Sequence, residues 1–324
     1  MKEIKRGLLT RIAVSGVSAL ALAGLVLAGP QAAWAKHVGS EPTEEGPDPT
    51  AVTACGTLAT THTIYYLSGD ITEAGTGTCI TFSATGSALL LNGFNITGPG
   101  ATSTGDGIHI TGTDDTVEGF NGTVSGFAIG IIDTGGGSVG DDFNVSDNTT
   151  GLELNSTATT RWSNFSSFSN TGAGVLVNDC GQHCTVMNFS TSDNGGDGLR
   201  IEGSTFPFAS VFISLDNGTN GIEVGGTTAG TANTHAVIAD AFLASPVVAI
   251  SGNTGGNGIV LDSSETTAND MVTTVRATGN GNGSTTADLH DATATCGVNL
   301  WFNNVFDTSL AGAVLSPTCI YGAL

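Results

Sequence analysis

From Gly107 onward the apolar and polar positions settle into one recurring phrase, a glycine followed by apolar, any and apolar residues. It reads Gly107-Ile-His-Ile, Gly130-Ile-Ile-Asp, Gly151-Leu-Glu-Leu, Gly174-Val-Leu-Val, Gly198-Leu-Arg-Ile, Gly221-Ile-Glu-Val and Gly258-Ile-Val-Leu, with steps of 23, 21, 23, 24, 23 and 37 residues. A period of two puts the apolar pair on one side of an extended strand. The filler residues are Thr, Ser, Asn, Asp and Gly, which favour turns and extended backbone over helix interiors. Beyond the first 35 residues no stretch sustains apolar side chains at helical spacing. Further extended runs, Val117–Val124 and Val211–Leu215, fall inside the units, so each unit supplies about three short strands. A unit of this length makes one coil of a parallel β-helix, with the next coil about 4.8 Å above it.

A second beat precedes most of the glycines: Asn148, Asn170, Asn194, Asn217 and Asn253, with Asn280 after the last. Asparagine tolerates a left-handed turn, and stacked asparagine amides can bond to one another along the axis. The same residues could equally mark ordinary surface turns, and both readings give the same fold.

The glycine phrase, the step near 23 and the asparagine beat together resemble the right-handed parallel β-helix repeats of the pectin-lyase-like superfamily. Tyr66-Leu-Ser-Gly-Asp-Ile71, Cys79-Ile and Leu89-Leu-Leu-Asn-Gly-Phe-Asn-Ile-Thr-Gly98 resemble the first coils of such proteins. Cys296-Gly-Val-Asn-Leu-Trp-Phe-Asn-Asn-Val-Phe306, with Cys319-Ile, resembles their last coil and cap. The resemblance implies an all-β solenoid of about 23 residues per coil from about Cys55 to the end. It leaves the chemistry open, because the superfamily hosts lyases, hydrolases, epimerases, adhesins and inert surface proteins.

In chain order, residues 1–35 read as a signal peptide: Lys2, Lys5, Arg6 and Arg11, an apolar run from Ile12 to Gly29, and the small-x-small site Ala33-Trp-Ala35. A retained anchor is the competing reading; Pro30 and the cleavage site favour removal, with no membrane insertion afterwards. Residues 36–54 read as a disordered acidic and proline-rich linker. Residues 55–105 then form the N-terminal cap and first coils, 106–295 the repeat coils and 296–324 the C-terminal cap. All six cysteines lie beyond the linker, which in an exported chain points to disulfides. Proximity favours Cys55–Cys79, Cys180–Cys184 and Cys296–Cys319, a clip at each cap and one across a side loop. Cys180 and Cys184 could instead hold a metal, but no second Cys/His pair lies nearby. The long step after Gly221 adds about 14 residues between Gly225 and Gly252, either a loop on the working face or an irregular extra part-coil.

Charge narrows the partners. Without the first 35 residues, four basic residues stand against 28 acidic ones, a balance of −24. Such a surface repels nucleic acid and anionic membranes, and repels anionic polysaccharides unless cations intervene.

The residue between the two apolar ones should face outward, giving the row His109, Ile132, Glu153, Leu176, Arg200, Glu223, Val260. Flanking outward positions add Asp106, Asp197, Asn220 and Asn257 on one side and Asn155, Asn178, Glu202 and Asp262 on the other. The mixed-charge cluster is Glu153, Asp197, Arg200, Glu202 and Glu223, with Arg200 between the Glu153 and Glu223 rungs. It reads as a glycan-binding set, or as acid and base of a glycoside hydrolase. With Asp197 and Glu202 as ligands it could hold Ca²⁺ beside an arginine base, as the family's lyases do. No lyase signature surrounds Arg200, and Arg200-Ile-Glu202 matches only part of the polygalacturonase set. Gly195-Gly-Asp-Gly-Leu-Arg200 and Gly255-Gly-Asn-Gly-Ile-Val260 resemble calcium nonapeptides only at their start. Trp162, Phe165, Phe168 and Phe189 read as interior stacks, with Trp162 as an alternative sugar platform, and Trp301, Phe302 and Phe306 as cap core. His290, between Asp288 and Asp291, reads as a polar loop, and the acids Asp114 and Asp115 as turn residues. The expected function is a secreted or cell-surface structural and carbohydrate-binding module. A carbohydrate-active enzyme built on Arg200, Asp197, Glu202 or Glu223 is the alternative, and a self-assembling adhesin on the outward apolar residues a third.

Overall fold

The computed structural model describes residues 48–100, 102–181, 183–225, 233, 235–239, 249–253, 255–262, 269–281, 286–293, 299–306 and 309–311. The expected signal peptide, the Cys296–Cys319 pair and most of the long insertion lie outside them. Among the described residues every regular element is a strand, and none is a helix long and apolar enough to cross a membrane.

The strands stack in parallel as a right-handed β-helix. One sheet, called here the first face, has eleven strands, from Gly56–Leu58 through Asp106–Ile110, Ile129–Asp133, Thr150–Leu154, Val175–Asn178, Leu199–Glu202, Ile222–Val224, Ile259–Leu261 and Leu289–Asp291 to Ser309–Ala311. The other sheet has sixteen strands and folds into two further faces. Its long strands, such as Thr116–Ser125 and Thr160–Phe168, bend at a left-handed residue: Asn121, Asp142, Asn164, Asn188 and Val211, with φ of 64°, 53°, 56°, 49° and 49°. Phe208–Leu215 shows the division: its first half pairs with Val237–Ala239 and its second with Ala249–Ser251. Each storey therefore carries the three strands that the alternation predicts.

The first strand is Thr50–Val52, paired with Ile64–Leu67, so the solenoid begins inside the segment expected to be a linker. Val52 supplies the reason, since its side chain joins the apolar core. The long step after Gly221 is no extra coil. Ile222–Val224 pairs directly with Ile259–Leu261, and the second and third faces each gain a single strand in between. The additional residues thus belong to the corners.

The core is built of columns. Ile108, Ile131, Leu152, Val175, Leu199, Ile222, Ile259 and Leu289 follow one another in register and are all buried. Phe143, Phe165, Phe189 and Phe212 stack with ring centroids 5.0, 5.3 and 5.4 Å apart. Trp162 is buried edge-on to Phe143, so it offers no sugar platform. Phe168 lies on the outward side of its strand, half-buried, because the alternation after the bend puts Ser167 inside. Trp301 is core, whereas its neighbour Phe302 points out and is exposed, as alternation within Leu300–Phe302 requires.

Two polar residues occupy inward positions that the pattern reserves for apolar ones. Asp133 follows Ile110 in its column, fully buried, and accepts bonds from Gly135 N, Ser138 Oγ and Thr160 Oγ1. Asp291, in the same column higher up, accepts from Trp301 Nε1 at 3.1 Å and from Thr293. Trp162 Nε1 likewise donates to Thr160 Oγ1, which bonds Asp133. A buried indole N–H needs an acceptor, and in both places an aspartate in the wall provides one. Asp115, expected in an exposed turn, is also buried; its Oδ1 accepts from Ser87 N.

Candidate functional site

The first face carries the row that the alternation predicts. In register, Thr81, His109, Ile132, Glu153, Leu176, Arg200, Glu223, Val260 and His290 succeed one another. The row is set by two internal devices. The glycines of the phrase form a column in which a Cβ would come within 2.5–2.8 Å of the carbonyl oxygen of the glycine above, from Gly107 up to Gly258. Beside them the asparagines form a buried ladder: Asn170, Asn194, Asn217 and Asn253 each donate a side-chain N–H to the next residue's Oδ1 at 2.8–3.1 Å. Asn280 ends it on Asp288 Oδ1 at 2.9 Å. The asparagine beat is thus a ladder rather than a set of surface turns.

Arg200 and Glu223 are lateral neighbours on adjacent strands, and Arg200 Nη2 lies 3.2 Å from Glu202 Oε2. Glu153 is two storeys below Arg200, with Leu176 between, so it is not the adjacent rung expected. It instead takes a hydrogen bond from Asn178, and burial raises its pKa. Asp197 is buried and structural in part. Its Oδ1 accepts from Thr219 Oγ1, from Asn220 N at 2.9 Å and from Asn220 Nδ2 at 3.0 Å. Asn220 Oδ1 in turn accepts from Asn257 N, which makes a second, shorter ladder along the edge of the face.

Asn220 ties this ladder to the row, because its Nδ2 also donates to Glu223 Oε2 at 2.9 Å. Glu223 is pushed up to about 7, first by burial and then by the Asp197 charge, with Arg200 opposing and Asp262 adding to the rise. A carboxyl group held protonated near neutral pH is a proton donor in the range where general acids work. The five expected residues therefore do gather on one surface, as Asp197–Glu223, Arg200–Glu202 and, set apart, Glu153–Asn178.

The outward apolar residues behave differently. Ile132 and Val260 are only 9% and 7% exposed, screened by the side chains above and below them. At the lower end, His109 is half-buried, 3.1 Å from Thr134 Oγ1 and 3.4 Å from Asp106.

His290 was hidden in the sequence. It stands on the row next above Val260, half-buried, with no hydrogen-bond partner at Nδ1 and with its pKa lowered by burial. Its strand lacks the glycine signature, because Asp288 occupies the glycine position. Leu289-His-Asp still keeps the spacing of the phrase, and that was the available signal.

Both expected clips within the described residues are present, Cys55–Cys79 and Cys180–Cys184, so neither pair serves as a metal site.

No protein-family model and no curated protein sequence matches the chain. Among solved structures it resembles the A-module of the Azotobacter vinelandii mannuronan C-5 epimerase AlgE4, with 16% identity, a TM-score of 0.54, and coverage of 85% of this chain and 89% of that one. The A-module of the AlgE6 epimerase from the same organism follows at 15% identity and a TM-score of 0.39, with the same coverage. The Dettilon tailspike protein is similar at 14% identity and a TM-score of 0.43, over 81% of this chain and 61% of that one. The fold is therefore the right-handed parallel β-helix of the pectin-lyase-like superfamily.

Proposed function

We propose that this is an exported, extracellular or cell-surface protein that binds a polysaccharide along its first face. The observation that carries this reading is the row itself. Arg200, Glu202, Glu223, Asp197 and Asn220 offer donors and acceptors at a regular strand spacing, on a surface whose apolar members are sunk between polar ones. Such an array suits the repeating hydroxyls of an extended glycan. The fold likeness to a mannuronan C-5 epimerase module supports a polysaccharide-related role, and the disulfides agree with life outside the cytoplasm. A balance of −24 favours a neutral glycan; Ca²⁺ held by Asp197 and Glu202 would be needed for an anionic one.

The test is affinity electrophoresis of the purified chain in gels containing starch, galactomannan, xylan, alginate or polygalacturonate, with and without Ca²⁺. Retardation by at least one polymer, lost in Arg200→Ala, is expected. Unretarded migration in every gel sinks the reading.

A further inference from the structure

Above Arg200, the row pairs an acid with a base across an apolar floor. Glu223 and His290 sit in one column with Val260 alone between them. Two strand spacings of about 4.8 Å put their Cα atoms just under 10 Å apart. Glu223 is braced by Asn220 Nδ2, while His290 presents a ring nitrogen, Nδ1, that bonds to nothing. Val260 is almost covered and supplies no polar group to either.

Resting on the polysaccharide reading, we propose that Glu223 and His290 are the general acid and general base of an inverting glycoside hydrolase acting on a neutral polysaccharide. In the step, the Glu223 carboxyl gives its proton to the glycosidic oxygen as the bond from that oxygen to the anomeric carbon breaks. A water molecule forms the new bond to the anomeric carbon from the opposite side and gives its proton to His290. Proton exchange with solvent then restores both residues. Inverting enzymes place acid and base about 6.5–9.5 Å apart to leave room for that water. The column spacing, adjusted by side-chain reach, matches this range, whereas Asp197 and Glu223 interact too closely to flank a glycosidic bond.

The surrounding charges push the two groups in opposite directions. Glu223 faces Asp197, Arg200 and Asp262, and with burial the sum raises it to about 7. His290 faces Asp262 and lies beside Asp291; burial outweighs both and lowers it below the ordinary 6.5. An acid above a base in pKa means that the working state, carboxyl protonated and imidazole neutral, is the main state between the two values. The pH profile should be a bell with its upper limb near 7, set by Glu223, and its lower limb below 6.5, set by His290.

The experiment incubates the full chain with starch, galactomannan and xylan across pH 4–9. It measures reducing ends and, by proton NMR, the anomer first released. Binding is measured in parallel by affinity electrophoresis. Expected are release with inversion, a bell-shaped profile, and losses of about 10²-fold or more in Glu223→Gln and His290→Asn with gel retardation kept. Binding without release overturns this inference and leaves the binding reading standing; absence of both sinks the two together. Retention of configuration, or full activity in either variant, also overturns it. So does NMR titration of the unliganded protein in which the signal lost in Glu223→Gln titrates at an ordinary carboxylate value.

Discussion

Gly174 lies against Asn194 of the storey above so closely that a Cβ on Gly174 would stand 2.7 Å from Asn194 Nδ2. That amide is already committed, to Asn217 Oδ1 at 2.9 Å and to Ser167 O at 3.1 Å. The two beats of the sequence are therefore one device: the ladder needs a bare backbone beside it. Gly174→Ala should disrupt the ladder and lower stability by about 2–4 kcal/mol, the range for unpairing buried polar groups and straining the backbone. Gly56→Ala, where a Cβ meets nothing within 4 Å, should be close to neutral. Urea unfolding of both variants decides, and equal midpoints would refute the coupling.

Val211 is a β-branched residue held at φ 49°, in the column that elsewhere has Asn121, Asp142, Asn164 and Asn188. Left-handed backbone costs a branched side chain about 1–2 kcal/mol, and asparagine much less. Its side chain is only half-buried, so little packing is lost. Val211→Asn should raise the thermal midpoint by about 2–4 °C per kcal/mol gained. A lower midpoint would show that packing of Val211 outweighs its strain.

The raised carboxyls give the fold an acid preference. Asp115 is pushed up to about 6, chiefly by burial, with Asp114 and Asp133 adding to the rise and the bond from Ser87 N opposing it. Glu223 stands at about 7. Both bind protons in the folded chain at pH values where the unfolded chain has released them. Stability therefore rises as pH falls through 7 and 6, and levels off once ordinary carboxylates protonate. The thermal midpoint should be higher at pH 5 than at pH 8, by an amount on the order of 5 °C. Glu223→Gln should raise the midpoint at pH 8 and leave it nearly unchanged at pH 5; a flat or opposite trend in the parent chain would contradict this.

Cys55–Cys79 joins residues 24 apart and fastens the lowest strand of the first face, Gly56–Leu58, beside Ile80–Phe82. Closing such a loop stabilises by about 3 kcal/mol in the chain-entropy view. The paired Cys55→Ser, Cys79→Ser variant should lose about that much in urea unfolding while keeping its strand signal in far-ultraviolet circular dichroism. No loss of stability would mean that the end strand holds by its ladder alone.

The fold was legible because a period of two repeated over seven phrases leaves little freedom in the register. Face, row and core columns followed from where the glycines stand. The upper end of the row was not legible. Asp288 replaces the glycine of its storey, and Asp291 replaces an apolar wall residue because Trp301 needs an acceptor. Those two exchanges disguised Leu289-His-Asp as a polar loop and removed His290 from consideration. Asp115 and Asp133 escaped for the same reason, since local pattern does not say that an aspartate in a turn-rich stretch will face inward. Glu153 was placed too near Arg200 because the Leu176 storey between them had to be counted, and charge drew the eye instead.

Asp288 also limits what the solenoid can become. Every asparagine below it accepts on one side and hands a hydrogen on to the next, so the chain of amides could in principle continue upward without end. Asp288 accepts from Asn280 through Oδ1 but has no amide to offer onward. Chain length is thus written into one side chain, which works as a stop on a ruler. Grafting further glycine–asparagine storeys above it would first require restoring the missing donor.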